Sequence, residues 1–243
     1  MIRTVLFRAV LVLSTAFFSI LAVVFVGMGG GGAGVNWINR SWARSLLAVA
    51  GVRVRVEGLE HLHLSGPQII VANHQSYFDI WALLAALPVS VRFIAKQELS
   101  RIPLLSRGMQ SAGHVFIDRD RPRRARETFR TAGRRMHAEG LTLVLFPEGT
   151  RSRDGRPGRF LRGSFALALE TDAPLVPAAV DGGHRVYRPG ARRVRPGRIS
   201  VRLAAPIPLD GANPPDRRTV MHEVRSAIEA MLAERTEEHL TPQ

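Results

Sequence analysis

Cysteine is absent from the 243 residues, which excludes disulfide bonds, thiolate metal sites, cysteine nucleophiles and iron–sulfur clusters. The sequence also lacks a Walker-type G-x-x-x-x-G-K-[ST] loop and a G-x-S-x-G nucleophile elbow. Nucleotide phosphate transfer and serine-esterase chemistry are therefore without support. Aromatic residues make up only 7% of the chain and do not interleave with its basic stretches, so the sequence does not indicate a nucleic-acid-binding module.

Acidic residues are scarce relative to basic ones. The chain has 20 Asp and Glu against 34 Lys and Arg, a net charge of +14. Lys96 is the only lysine, so nearly all of the positive charge is arginine. This balance favours polyanionic partners, which means nucleic acid, anionic lipid headgroups or phosphorylated ligands. The length and the ordinary hydrophobic share of 46% predict one folded domain, or one domain with an appendage.

The N-terminal segment is apolar and has no acidic residue before Glu57. No charged residue lies between Ala9 and Gly34, and a helix from Ala9 to Met28 would be about 30 Å long, the thickness of a bilayer core. Three interpretations are open: a membrane-embedded anchor, a cleaved secretory signal, or a buried helix of a soluble protein. The length of the apolar run favours the anchor. Basic residues before the run favour a cytoplasmic N-terminus.

A glycine-rich stretch, residues 29–34, is predicted to form a turn because glycine disfavours a helix by about 1 kcal/mol per residue. Helical spacing resumes over 37–52, so the segment is either a two-helix hairpin within one leaflet or a single span. The sequence thus predicts two parts: membrane-anchoring helices over 1–50 and an α/β domain over 51–243. We expect this domain on the cytoplasmic side of the cell inner membrane.

The remainder alternates between strand and helix patterns. This alternation predicts an α/β fold with a mixed, largely parallel sheet flanked by helices. The predicted strands cover 52–56, 68–72, 91–95, 114–117, 141–146, 175–180 and 199–203, and the predicted helices cover 77–87, 121–139, 160–170 and 219–235.

The first motif is Asn-His-Gln-Ser-Tyr-Phe-Asp, residues 73–79, at a predicted strand-to-helix junction. Across such a bend the Asp79 carboxylate can fold back onto the His74 imidazole. A carboxylate on one ring nitrogen fixes the tautomer and leaves the other nitrogen as a general base. The alternative is structural, because Ser76 and Asp79 also match an S-x-x-D helix cap.

The second motif is Phe-Pro-Glu-Gly-Thr-Arg-Ser, residues 146–152, at the end of the predicted buried strand 141–146. Loops at the carboxyl ends of strands hold ligands in open α/β sheets. The backbone amides, hydroxyl and guanidinium of Gly149, Thr150 and Arg151 suit phosphate oxygens. An ordinary turn is the alternative.

The third motif is Gly-His-Val-Phe-Ile-Asp-Arg, residues 113–119, in which an acidic and a basic residue follow the end of a predicted strand. Taken alone, Asp118 and Arg119 predict a surface ion pair that contributes less than about 1 kcal/mol.

In their order along the chain, residues 73–79, 113–119 and 146–152, the three motifs resemble the glycerolipid acyltransferase family, and most closely the bacterial 1-acylglycerol-3-phosphate O-acyltransferases. Lys-Gln-Glu-Leu at 96–99 with Ile102-Pro103, and Leu-Val-Pro at 175–177, are also similar. The resemblance extends over about 52–209, and an apolar N-terminus is typical of these membrane-bound enzymes.

The resemblance implies a reaction and a role for each motif. His74 would be the general base that takes a proton from a lysophospholipid hydroxyl as it attacks an acyl thioester, and Asp79 would orient it. The product would be phosphatidate, and acyl-CoA or acyl carrier protein would be the co-substrate. The partners would be membrane lipids, and neither a metal nor a cofactor is expected. The glycerol phosphate is expected at Arg119, Glu148, Gly149 and Thr150, with Arg151 and Lys96 as further phosphate contacts and Asn73, Pro147 and Pro177 as supporting motif residues.

Two alternatives to this function remain open at the sequence level. A family member could act on another acceptor, such as glycerol-3-phosphate, a lyso-ornithine lipid or another lysophospholipid. The charge of +14 also allows a non-enzymatic, membrane-anchored protein that binds anionic lipid or nucleic acid.

Overall fold

The computed structural model describes residues 2–118, 120–169, 171–209 and 216–238. Two long helices come first, α1 (Ile2–Gly27) and α2 (Gly32–Ala50). The strands that follow are β1 (Val52–Glu57), β2 (Gln68–Ala72), β3 (Val91–Lys96), β4 (Val115–Ile117), β5 (Thr142–Leu145), β6 (Leu175–Asp181) and β7 (Gly197–Leu203). The later helices are α3 (Tyr77–Ala86), α4 (Pro103–Ser111), α5 (Pro122–Glu139), α6 (Arg162–Leu169), α7 (Gly183–Tyr187) and α8 (Arg217–Glu238).

The strands form one sheet in the order β1-β7-β6-β2-β5-β3-β4. The described strand pairs are parallel except β6 with β7, which is antiparallel. The predicted fold class, a mixed and largely parallel sheet flanked by helices, is confirmed. Because β2 and β5 are parallel neighbours, the loops that follow them leave the same edge of the sheet side by side. The first two motifs lie in these two loops.

Each face of the sheet is covered by its own set of helices. One face packs against α2 and α3 through side chains such as Leu46, Phe78 and Leu83. The other face packs against α5, α6 and α8 through Phe129 and Phe165, among others. Burying each such side chain stabilises the fold by roughly 1.5–3 kcal/mol, which is why the central strands are continuous apolar runs.

Helix α1 packs along the domain with one face and leaves another face uncovered. Phe7 is buried, with its ring stacked on Phe78 at 5.4 Å and edge-on to Trp81 at 5.7 Å. The uncovered face is a row of exposed apolar side chains: Ile2, Val5, Leu6, Val12, Leu13, Phe17, Ile20 and Val24. By length and composition α1 is able to cross a membrane. The division of the chain at residue 50 stays a prediction.

The turn predicted over residues 29–34 is shorter than expected, and that prediction is partly wrong. The turn ends at Gly31, and α2 begins at Gly32. Close packing of the two helices explains the glycines, because a Cβ on Gly30 or Gly34 would overlap the Phe25 ring. Glycine serves here to bring α1 and α2 together as much as to turn the chain.

A histidine between α4 and β4 is held in its neutral form. The backbone N–H of Phe93 donates to His114 Nδ1 at 3.0 Å, so this nitrogen carries no proton. Burial, and secondarily the Arg92 guanidinium, lower the pKa of His114 to about 3. His114 therefore stays uncharged in the folded protein at pH values where an unfolded chain would protonate it.

This histidine predicts a loss of stability in acid. Below its ordinary pKa of about 6.5 the unfolded chain binds a proton that the folded chain does not, so the free energy of unfolding falls as pH falls from about 6.5 towards 3. Between about pH 7.5 and 5 we expect a loss on the order of 1–2 kcal/mol from His114. Denaturant unfolding of wild type and His114→Asn, whose amide oxygen still accepts from Phe93, measures it. Equal pH dependence in both proteins would contradict the assignment.

Candidate active site

The first motif begins where β2 meets β6. The Asn73 amide donates to the Val180 carbonyl at 2.8 Å and accepts from the Val180 N–H at 2.7 Å. This pair of bonds fixes Asn73, the residue directly after β2, before the chain turns towards α3. His74 follows at once, in the loop at the carboxyl edge of the sheet.

His74 and Asp79 are in contact across this bend. His74 Nδ1 lies 2.9 Å from Asp79 Oδ2, and the Asp79 side chain is completely buried. The same oxygen accepts from the backbone N–H groups of Gln75 at 2.6 Å and Ser76 at 2.8 Å. Asp79 thus belongs to the capping box of α3, in which Ser76 is the N-cap, and also contacts His74, while the general-base role stays a prediction.

The His74 imidazole makes a stacking contact through its ring face in addition to the hydrogen bond at its edge. The Phe146 ring stacks on it with the centroids 4.0 Å apart and the planes 15° apart. A carboxylate accepts only, so Nδ1 donates to Asp79 and Nε2 is left as the nitrogen that can accept a proton. The His74 side chain is 12% exposed, so it is not fully closed off from solvent.

Glu148 binds the backbone of the histidine loop. One carboxylate oxygen accepts from the His74 N–H at 2.8 Å, and the other accepts from the Gly158 N–H at 2.9 Å. The Ser152 N–H donates to the His74 carbonyl at 2.7 Å. Burial raises the pKa of Glu148, although the two backbone hydrogen bonds act in the opposite direction. The second motif therefore holds both main-chain polar groups of His74.

A cavity of 270 Å³ opens beside the second motif. It brings Lys96 together with Glu148, Gly149 and Thr150. The other lining residues are Gln97, Glu98, Ile117, Asp118, Asp120 and Leu161. Arg119, which the sequence predicts as a phosphate ligand, lies outside the described residues, although its neighbours in the chain line the cavity.

Arg151 lies at the rim of the first motif. Its guanidinium is 3.8 Å from the centre of the Tyr77 ring, a cation–π contact that orients the side chain. The two predicted prolines, Pro147 and Pro177, make backbone contacts around the site. The Pro147 carbonyl accepts from the Leu161 N–H, and Pro177 pairs with Val71 within the sheet.

Helix α7 is a neighbour of the site that the sequence analysis missed. It follows β6, and the His184 N–H in its first turn donates to the Gln75 side chain at 3.4 Å. The same side chain donates to the Gly155 carbonyl, in the loop after the second motif, at 2.8 Å. The signal was the Gly-Gly pair at 182–183, which directly follows a buried strand at the same sheet edge as the motifs.

Known proteins share sequence and fold with this chain. The family model described as acyltransferase matches residues 53–181, a stretch that includes all three motifs. The chain belongs to the acyltransferase family. Among curated members, the 1-acyl-sn-glycerol-3-phosphate acyltransferase of Limnanthes douglasii is 36% identical over 162 residues, covering 67% of this chain and 57% of that one. The alpha enzyme of the same name from Homo sapiens is 33% identical over 178 residues, covering 73% and 63%.

A solved structure of an acyltransferase extends the likeness to nearly the whole fold. The 1-acyl-sn-glycerophosphate acyltransferase PlsC from Thermotoga maritima has a TM-score of 0.66 and 26% identity, covering 93% of this chain and 98% of that one. The matched region spans less than two thirds of the length of the curated plant and animal acyltransferases named above.

Proposed function

We propose that this acyltransferase moves an acyl group from a thioester to the free sn-2 hydroxyl of 1-acylglycerol-3-phosphate, giving phosphatidate. The observation that carries the proposal is the 2.9 Å contact between His74 and Asp79 beside a cavity lined by the second motif. The names of the relatives support the acceptor. Acyl-CoA or acyl carrier protein would be the donor.

In this proposal His74 is the general base. Its Nε2 takes the proton of the acceptor hydroxyl while the oxygen attacks the thioester carbonyl carbon. The tetrahedral intermediate then expels the thiolate, so that a C–O bond has formed and the C–S bond has broken. The imidazolium returns the proton to the departing sulfur. Asp79 stabilises the imidazolium between these steps, and no covalent enzyme intermediate is needed because a thioester is already activated.

The acceptor headgroup would bind in the 270 Å³ cavity. Its phosphate requires cations, because the carboxylates of Glu98, Asp118 and Asp120 line the same space and would repel it. Lys96 at the cavity, together with Arg119 and Arg151, would supply the positive charge. Gly149 and Thr150 would add a backbone amide and a hydroxyl to the phosphate or glycerol oxygens.

Arg151→Ala is expected to weaken acceptor binding rather than the chemical step. Loss of a charged hydrogen bond to phosphate contributes roughly 1.5–3 kcal/mol, so KM for 1-acylglycerol-3-phosphate should rise about tenfold or more with a smaller change in kcat. Steady-state kinetics with the acceptor varied measures this. Arg153→Ala, two residues further on and exposed, is the matched control. An unchanged KM in Arg151→Ala would remove this residue from the phosphate site.

The uncovered face of α1 supports a membrane location for the reaction. Lysophospholipid and phosphatidate both reside in a bilayer, and the exposed apolar row along α1 would lie in lipid. We propose that residues 1–50 anchor the protein in the inner membrane, and that residues 51–243 act at its cytoplasmic surface.

An acceptor and donor panel tests the proposed function. The purified full-length protein in detergent or lipid vesicles is given 1-acylglycerol-3-phosphate, glycerol-3-phosphate, a lyso-ornithine lipid or another lysophospholipid, each with acyl-CoA and with acylated carrier protein. We expect phosphatidate from the first acceptor at a rate far above that of His74→Ala. Equal rates for wild type and His74→Ala would refute the proposal, and a preference for another acceptor would reassign the substrate.

A further inference from the structure

The carboxylate of Asp79 is held on one side only. Its three donors, His74 and the backbone amides of Gln75 and Ser76, all bind Oδ2. Among the residues that the structure describes, buried Oδ1 has no hydrogen-bond partner. A buried carboxylate oxygen without a donor must be kept in place by packing, so the residue that packs against it becomes important.

That residue is Gly183, in the first turn of α7. A Cβ built on Gly183 would overlap Asp79 Oδ1 and would lie 3.0 Å from Ser76 Cβ. The backbone of Gly183 is outside the left-handed region, so an alanine could adopt its conformation. Glycine is therefore required here for space. Its neighbour Gly182 differs, because a φ of 98° gives that position its own reason to be glycine.

Helix α7 contacts the histidine loop on both sides of this close approach. The His184 N–H donates to the Gln75 side chain, and Ser76 Oγ donates to the Tyr187 carbonyl at 2.7 Å. These contacts fix α7 against the loop, so a new side chain at Gly183 could not be relieved by moving the helix alone.

We propose that Gly183 is a positioning residue for the acyl-transfer reaction. Because it has no side chain, α7 closes directly on Asp79 and keeps the carboxylate in register with His74. This inference rests on the proposed function, since it assigns Asp79 the task of orienting the general base. The stretch matched by the acyltransferase family model ends at residue 181, so Gly183 lies just beyond it.

Gly183→Ala is expected to move the Asp79 carboxylate away from His74. Asp79 is fully buried, and its side chain has no open direction in which to yield without loosening its three hydrogen bonds. A misplacement of about 1 Å near a reacting group can lower a rate about 10²-fold. We expect kcat to fall by about 10- to 100-fold while KM for 1-acylglycerol-3-phosphate stays within about twofold.

The matched control is Gly163→Ala. Gly163 lies in α6 with an ordinary helical backbone, is exposed, and would have nothing within 4 Å of an added Cβ. The chemical change is the same, so this variant should retain wild-type kcat. Wild-type kcat in Gly183→Ala, or a raised KM with kcat retained, would overturn the inference.

A double-mutant cycle with Asp79→Ala separates positioning from a general packing defect. Asp79→Ala removes the oxygen that the new Cβ would meet, so adding Gly183→Ala in that background should lower residual kcat by less than about twofold. Equal losses in both backgrounds would overturn the inference. If Gly183→Ala does not fold, a double variant that does fold supports the inference. A double variant that does not fold contradicts the inference. An inactive wild type would instead refute the proposed function.

Discussion

His74→Ala is expected to lower kcat by at least about 10²-fold and to leave the fold intact. The variant loses the group that takes the proton from the acceptor hydroxyl in the proposed reaction. Folding should survive because the helix cap does not need the imidazole. Asp79 Oδ2 still accepts from the backbone of Gln75 and Ser76 when the ring is gone.

The measurement is initial rate against acceptor concentration at saturating thioester, with thermal unfolding as the check on folding. His222→Ala is the matched control, because His222 is an exposed histidine on α8. A His74→Ala enzyme with kcat within about threefold of wild type would rule out general-base catalysis by this residue.

Glu148→Gln should have the second largest effect, a fall in kcat of about 10- to 100-fold with little change in KM. The carboxylate accepts one backbone N–H with each oxygen, from His74 and from Gly158. A glutamine has one oxygen to offer, so its NH₂ group would face one of these two N–H donors. Either arrangement leaves a partly buried backbone donor unpaired and loosens the loop that carries His74, the proposed general base.

Kinetics of Glu148→Gln distinguish two roles for this glutamate. The family resemblance implies that it binds the glycerol phosphate, which predicts a raised KM. The hydrogen bonds to backbone amides instead predict a lowered kcat. Glu60→Gln, an exposed carboxylate with 75% of its side chain accessible, serves as the control. A tenfold or larger rise in KM with kcat retained would favour direct contact with the acceptor.

Much of the fold could be predicted because it depends on patterns local in sequence. Strands such as β2 and β5 are covered on both faces, so they read as short continuous apolar runs. The contact between His74 and Asp79 was also predictable. It depends on a five-residue spacing across a strand-to-helix bend, which brings together residues that a continuous helix would separate.

Other features depend on contacts that no local pattern encodes. The donors to the Glu148 carboxylate are backbone amides, and almost any residue type supplies those, so side-chain chemistry gives no hint of the bond to residue 74. Helix α7 is only five residues long, too short for a periodic signal. Gly183 approaches Asp79 only because α7 and α3 meet in space, although they are far apart in the chain.

The ring of Phe7 connects the two parts that the sequence predicts, the helices of residues 1–50 and the α/β domain of residues 51–243. It stacks on Phe78 in α3, whose first turn holds Asp79. Removing α1 would therefore uncover Phe78 and leave a cavity beside α3. If α1 lies in lipid as proposed, this contact ties α3 to it, so the distance between Asp79 and the bilayer would be set by packing of the two helices and not by a flexible linker.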